Sequence, residues 1–198
     1  MARVRHFSLF PCRHALKRGW QGTIAPPGRS TAMARADDAT VATIAHRRHA
    51  RRRAVAFFTA LMATALALGG ALAHAFALPN KIGMSREDYF VAQQIYAGWN
   101  LFAIVLAVEA AGIVALIILH RRAPAVRRPV IVALACLIAA QAVFWTWTFP
   151  ANTATDQWTR IPENWAAFRD QWEYSHLAGA VLQLEVMAAL VVAVLRRG

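Results

Sequence analysis

Trp165, Arg169, Trp172, Glu173 and His176 stand at i, i+4, i+7, i+8 and i+11, and Gln183 lies one heptad past the last of them. On a helix, which turns 100° per residue, all six fall within an arc of about 100°. These residue types suit proton abstraction from an aromatic molecule. An imidazole ionises near neutral pH and can take the proton of an acidic C–H or a phenol, a task open to His176 or to a second histidine, His74. The Arg169 guanidinium would stabilise the phenolate or enolate left behind, and the indoles of Trp165 and Trp172 would stack on its rings. Further binding groups recur at helical spacing: Tyr89, Gln93, Tyr96 and Asn100 on one face, and Gln141, Trp145 and Thr148 on another. A metal would need a third ligand beside the two histidines. Glu173 is the one nearby candidate and no tight ligand motif exists, so neither a metal nor another cofactor is expected.

Plainer readings stand beside these. Arg169 and Glu173 form a surface i, i+4 ion pair worth only a few tenths of a kcal/mol. Trp99 and Trp147 belong to the aromatic belt that settles at lipid headgroups. His74 is a hydrogen-bonded packing residue.

The elements that position these groups must lie in a membrane. The chain has 198 residues, 58% hydrophobic and 16% charged, yet carries a net charge of +12. Residues 1–53 hold 12 of the 22 Lys and Arg and two of the 10 acids, so this tail alone is +10 and the rest of the chain only +2. That partition excludes a soluble basic domain and, with it, a nucleic-acid partner. Four runs, 54–78, 98–119, 129–149 and 176–195, reach the length of about 20 apolar residues that crosses a bilayer. The predicted fold is all-α: a four-helix transmembrane bundle over 54–197, preceded by a disordered basic tail over 1–53. Arginines 47, 48 and 51–53 precede the first span, 121, 122, 127 and 128 fill the second loop, and 196 and 197 follow the fourth. By the positive-inside rule both termini and that loop are cytoplasmic, while 79–97 and 150–175 face outward. The expected location is the bacterial cell membrane, with lipid as a partner. Cys12 and Cys136 lie in the tail and in a span, which leaves no disulfide framework.

Two helices are expected to project past the outer surface. One runs over 86–119, about 51 Å long, with Ser85 as N-cap and Asp88 three residues on. The other starts at Pro162 and runs to Leu195. Small residues indicate the packed faces: Ala63, Ala67, Gly70, Ala71 and His74 on the first span, and Ala103, Ala107, Ala111 and Ala115 on the second. Glu109 and Glu185 each lie about ten residues into a span, and helical geometry turns them away from the outer stripes. A bare carboxylate there is costly, so both are expected between helices as neutral acids, meeting each other or lying at a subunit contact of a homo-oligomer.

Several motifs are specific. They are Pro79-Asn80-Lys81, Gln94-Ile95-Tyr96, Gly98-Trp99-Asn100 and Phe149-Pro150-Ala151-Asn152 with Trp158. Pro162-Glu163-Asn164-Trp165 then leads to Arg169, Trp172, Glu173 and His176. Together they resemble the anthrone oxygenase-like family of small four-span membrane proteins, over roughly residues 54–197. The resemblance implies oxidation of a hydrophobic aromatic by molecular oxygen without a bound cofactor. It points to Trp165, Arg169, Trp172 and His176, together with Asn152, as the positions of interest. Many members carry an arginine three residues after the histidine, where this chain has Gly179.

Two functions follow as expectations. In the first, the protein is a membrane oxygenase acting on an aromatic at the outer surface. In the second, it is a non-catalytic membrane protein that binds lipid or a partner protein, and the Trp/Arg/Glu/His stripe is structural.

Overall fold

The computed structural model describes residues 29–197, with side chains from residue 39 onward. All regular structure among them is helical, and the chain divides into two units, 1–44 and 45–198. The described part of the first unit forms the opening turns of α1 (Arg29–Lys81). Helix therefore begins inside the stretch whose composition suggested disorder; the remainder of that expectation, residues 1–28, lies outside the described residues.

In the second unit α1 continues to Lys81 through Pro79. Next come α2 (Arg86–Gln93), two single turns of tighter helix at Gln94–Tyr96 and Trp99–Leu101, and α3 (Phe102–Leu119). After α4 (Pro124–Val143) a wide π-turn at Phe144–Thr148 leads into α5 (Phe149–Ala154), and α6 (Trp165–Leu195) closes the bundle. Four helical stretches are long and apolar enough to cross a membrane: Ala39–Lys81, Trp99–Leu119, Pro124–Ala154 and Trp165–Leu195. The protein is a multi-pass integral membrane protein built as an all-α four-helix bundle. Phe58, Leu66, Ile104, Ile118 and Ile138 point outward from its flanks, which places apolar surface where lipid chains can cover it.

Ser85 caps α2 as its spacing suggests, its hydroxyl accepting from the Asp88 amide at 3.2 Å. The continuous helix expected over 86–119 is instead broken. Gly98 adopts φ +85°, a left-handed conformation open to glycine without steric cost, and the chain re-enters helix with a new phase. The break changes which face of α3 is inside. Ala103, Ala107 and Ala111 are exposed, while Glu109, Gly112, Ile113 and Leu116 are buried. The small-residue face of α1 packs as expected, with Ala63, Ala67 and His74 buried. At the α1–α3 contact a Cβ on Gly112 would stand 3.0 Å from the Ala60 Cα, so this glycine sets how closely the two helices approach.

The core has two parts. Toward the arginine-rich end Phe57, Ala60, Ile113, Leu116, Val130, Leu137, Val186 and Leu190 interlock from all four spans. At the other end Tyr89, Phe90, Ala151, Trp158 and Trp172 form an aromatic cluster. The loop between α5 and α6 reaches that cluster through three consecutive left-handed residues, Asp156, Gln157 and Trp158, at φ 48°, 54° and 63°. L-residues pay about 1–2 kcal/mol each for this conformation. Trp158 secures the loop: its amide donates to Thr155 Oγ1 at 3.1 Å and its indole to Asn152 Oδ1 at 3.0 Å. α6 begins at Trp165 after Asn164, three residues later than Pro162 suggested.

Gly112→Ala should lower the unfolding temperature in detergent, since overpacking a tight contact costs about 1–3 kcal/mol. Gly69→Ala, where a Cβ meets nothing within 4 Å, should leave it unchanged or slightly raised.

Candidate functional site

Pro79 suggests a helix end, yet α1 runs on to Lys81, seven residues after His74 and so on the same face. This extra turn carries an ammonium group into the interior. Lys81 Nζ lies 2.7 Å from Glu173 Oε1 of α6, and the pair is almost wholly buried, with side-chain exposures of 4% and 0%. The same ammonium donates to Gln93 Oε1 at 2.9 Å, Gln93 Nε2 donates to the Tyr89 hydroxyl at 2.9 Å, and Tyr89 donates back to Glu173 Oε1 at 2.9 Å. The four groups thus close a ring of hydrogen bonds joining α1, α2 and α6. Burial first, and the Glu173 carboxylate second, push the Tyr89 hydroxyl well above the ordinary phenol range, which keeps it a donor. The same two causes raise Tyr96.

One turn deeper are the histidines. The His74 and His176 rings are 4.2 Å apart between centroids, inside a box of Tyr96, Trp99 and Trp172. Tyr96 lies 4.3 Å from His74, and Trp172 lies 3.9 Å from His176. Lys81 Nζ sits over the Trp172 and Tyr96 rings at 4.5 and 4.7 Å, so the cation borders the box. His176 Nδ1 donates to the Trp172 carbonyl at 2.9 Å, which places the free lone pair on Nε2. Within this site two buried polar atoms lack a hydrogen-bond partner, His74 Nδ1 and Glu173 Oε2. No group of three or more His, Cys, Asp or Glu placed to hold a metal ion occurs among the described residues. Glu173, the third ligand the histidines would have needed, has its Oε1 committed to Lys81 and Tyr89.

The structure therefore brings together His74, His176, Trp172, Glu173 and Tyr96 from the residues singled out in the sequence. Others lie elsewhere. Arg169 does not reach Glu173 or the histidines; its Nε bonds Asp170 Oδ1 at 3.0 Å and its guanidinium lies 5.1 Å over Trp165. Glu173 pairs instead with the Lys81 ammonium, the more deeply buried of the two cations, with side-chain exposures of 4% for Lys81 and 15% for Arg169. Trp165 packs on Tyr89 and Phe90 in the outer cluster. Asn100 is exposed, carried off the Tyr89–Gln93 face by the break at Gly98. Trp145 is 59% exposed. The π-turn adds a residue to its helical turn and so separates it from Thr148, which is buried and hydrogen-bonded to Ser175 Oγ at 2.7 Å. Gln141 stays half-buried on α4. Asn152 is a clamp: its Oδ1 accepts from the Trp158 and Trp172 indoles at 3.0 and 2.8 Å. Lys81, Tyr89 and Gln93 complete the site. The spacing of seven from His74 was the available signal for Lys81, masked by Pro79.

The two mid-span glutamates have separated. Glu109 is fully buried, accepts from Gln183 Nε2 and faces Thr64, as expected of an acid packed between helices. Glu185 is exposed on the lateral face of α6, neither between helices of this bundle nor against Glu109. Beside the aromatic cluster an open groove of about 480 Å³ is lined by Phe90, Val91, Trp158 and Ile161 together with the polar Glu87, Gln94 and Thr159.

No protein-family model, no curated protein and no solved structure matches this chain.

Lys81→Met should lower stability by about 3–5 kcal/mol, because it strands a buried carboxylate. In thermal unfolding, Lys81→Met/Glu173→Leu should recover much of that loss. Arg169→Ala, which removes a pair whose Asp170 side is half exposed, should cost less than about 1 kcal/mol.

Proposed function

We propose that this protein is a membrane oxygenase similar to the anthrone oxygenase-like family, acting on a hydrophobic phenolic aromatic. The observation that carries the reading is the pair of imidazoles in close, tilted contact within an aromatic box beside a buried ammonium. His176 Nε2 is the base that takes the acidic proton of the substrate; its lone pair is held available by the bond from Nδ1 to the Trp172 carbonyl. Lys81, rather than Arg169, is the cation placed to stabilise the resulting enolate or phenolate, with Trp172 and Tyr96 supplying ring faces. The carbanion reacts directly with molecular oxygen. The methylene carbon loses two hydrogens and gains a carbonyl oxygen, and the second oxygen atom leaves as water. The apolar groove along Phe90 and Trp158 gives a lipid-dissolved aromatic a surface to settle on next to Trp172, whose ring is 5.8 Å from Trp158. The site lies at the end opposite the arginine clusters. With both termini cytoplasmic, as the arginines direct, it faces the outer side of a bacterial cell membrane.

A second reading rests on a different observation. Lys81, Gln93, Tyr89 and Glu173 satisfy one another in a closed ring, the arrangement of a structural latch. In that reading the bundle binds lipid or a protein partner and performs no chemistry.

Oxygen uptake by the purified protein with a panel of anthrones separates the two. The oxygenase reading expects uptake that is lost in His176→Ala and retained in Trp147→Phe. Absence of uptake with every substrate, or full uptake in His176→Ala, would sink it. A lowered unfolding temperature as the sole effect of His176→Ala would leave the latch.

A further inference from the structure

We propose that α6 pairs in the membrane with α6 of a second copy of this chain, the two Glu185 carboxyls meeting across a twofold axis. Glu185 stands ten residues before Leu195, the end of the helix. At 1.5 Å per residue that is about 15 Å, half the thickness of the hydrocarbon layer. There it is exposed on the flank of the bundle, not turned to its interior. Ionisable side chains at this depth ordinarily face protein or a water-filled cavity, because hydrocarbon solvates neither the charge nor the hydrogen-bonding groups. Something must cover this one.

A second, independent observation identifies the cover. Ala178, Val181, Glu185, Ala188 and Val192 are all exposed and follow one another at intervals of three, four, three and four. This is the spacing of a left-handed coiled-coil seam, and one polar residue within such a seam fixes its register. Small side chains on both sides of Glu185 let the helix backbones come close. Two copies inserted in the same orientation present these seams in parallel, so each residue faces its own counterpart. Two protonated carboxyls facing each other satisfy all their groups: each hydroxyl donates to the other's carbonyl oxygen, with no net charge. No other partner need be supplied. Glu109, the other acid near the middle of a span, is already bonded to Gln183 within the bundle. The inference rests only on the membrane-spanning fold and holds whether or not the histidine site is catalytic.

The test uses the full chain with Cys12 and Cys136 changed to serine, reconstituted in phosphatidylcholine bilayers. Ala188→Cys should form a disulfide-linked dimer on mild oxidation, and Ile138→Cys, exposed on α4, should not. Fluorescence energy transfer between labelled copies should show a monomer–dimer equilibrium. Glu185→Leu should weaken it about tenfold, the scale of interhelical hydrogen bonds in membranes. Glu185→Gln, which can still pair through its amides, should preserve it. Monomers at every protein-to-lipid ratio, cross-linking at Ile138→Cys in preference to Ala188→Cys, or unchanged association in Glu185→Leu would each overturn the proposal. The first of these results would leave Glu185 facing lipid.

Discussion

One buried ion pair organises the end of the bundle that carries the candidate site. Lys81 and Glu173 are brought out of water together, at a desolvation cost that only close geometry and further hydrogen bonds can offset. Meeting that requirement dictates much of what surrounds them. α1 must pass Pro79 to deliver the lysine, α2 must fold back to supply Tyr89 and Gln93, and α6 must extend beyond the apolar span to bring the carboxylate. The aromatic rings then close over the pair. Trp172 and Tyr96 take the cation on their faces and also form two walls of the histidine box. Electrostatics and packing are thus one arrangement: the groups that neutralise the lysine are the groups that position the imidazoles.

The two ends of the bundle solve different problems. Toward the arginine-rich end, the core is aliphatic, with Phe57 held between His120 and the Arg197 guanidinium. Its side chains need only fill space. At the aromatic end the backbone is repeatedly irregular, with a left-handed glycine, two tight turns, a π-turn and a left-handed loop. Each irregularity aims a side chain that a straight helix would have misplaced. Such a concentration of unusual backbone is characteristic of places where position matters more than regularity.

Span number and the stripe on α6 were legible in the sequence because they depend on composition and helical period alone. Trp172, Glu173, His176 and Gln183 do share an inward face, and His74 does meet His176. The rest turned on features that period cannot express. Gly98 re-phased the second span, so a ridge of alanines that looked packed became lipid-facing and Glu109 became the interior residue. The π-turn moved Trp145 off its expected face. Lys81 read as a loop charge because proline ordinarily ends a helix, although here the helix continues for two residues past it. The pairing of Glu173 then followed from a partner far away in sequence, against a neighbour four residues off that local rules would have chosen.

The coil of Asp156, Gln157 and Trp158 has a mechanical meaning. Three L-residues wound in the left-handed sense resemble a spring held shut from one side, and the catch is a single indole gripped by Asn152 and the surrounding rings. The same Asn152 oxygen grips Trp172, which borders the histidines. The loop and the wall of the box therefore hang on one shared acceptor: Asn152 Oδ1 ties the left-handed turn to the ring that borders His176.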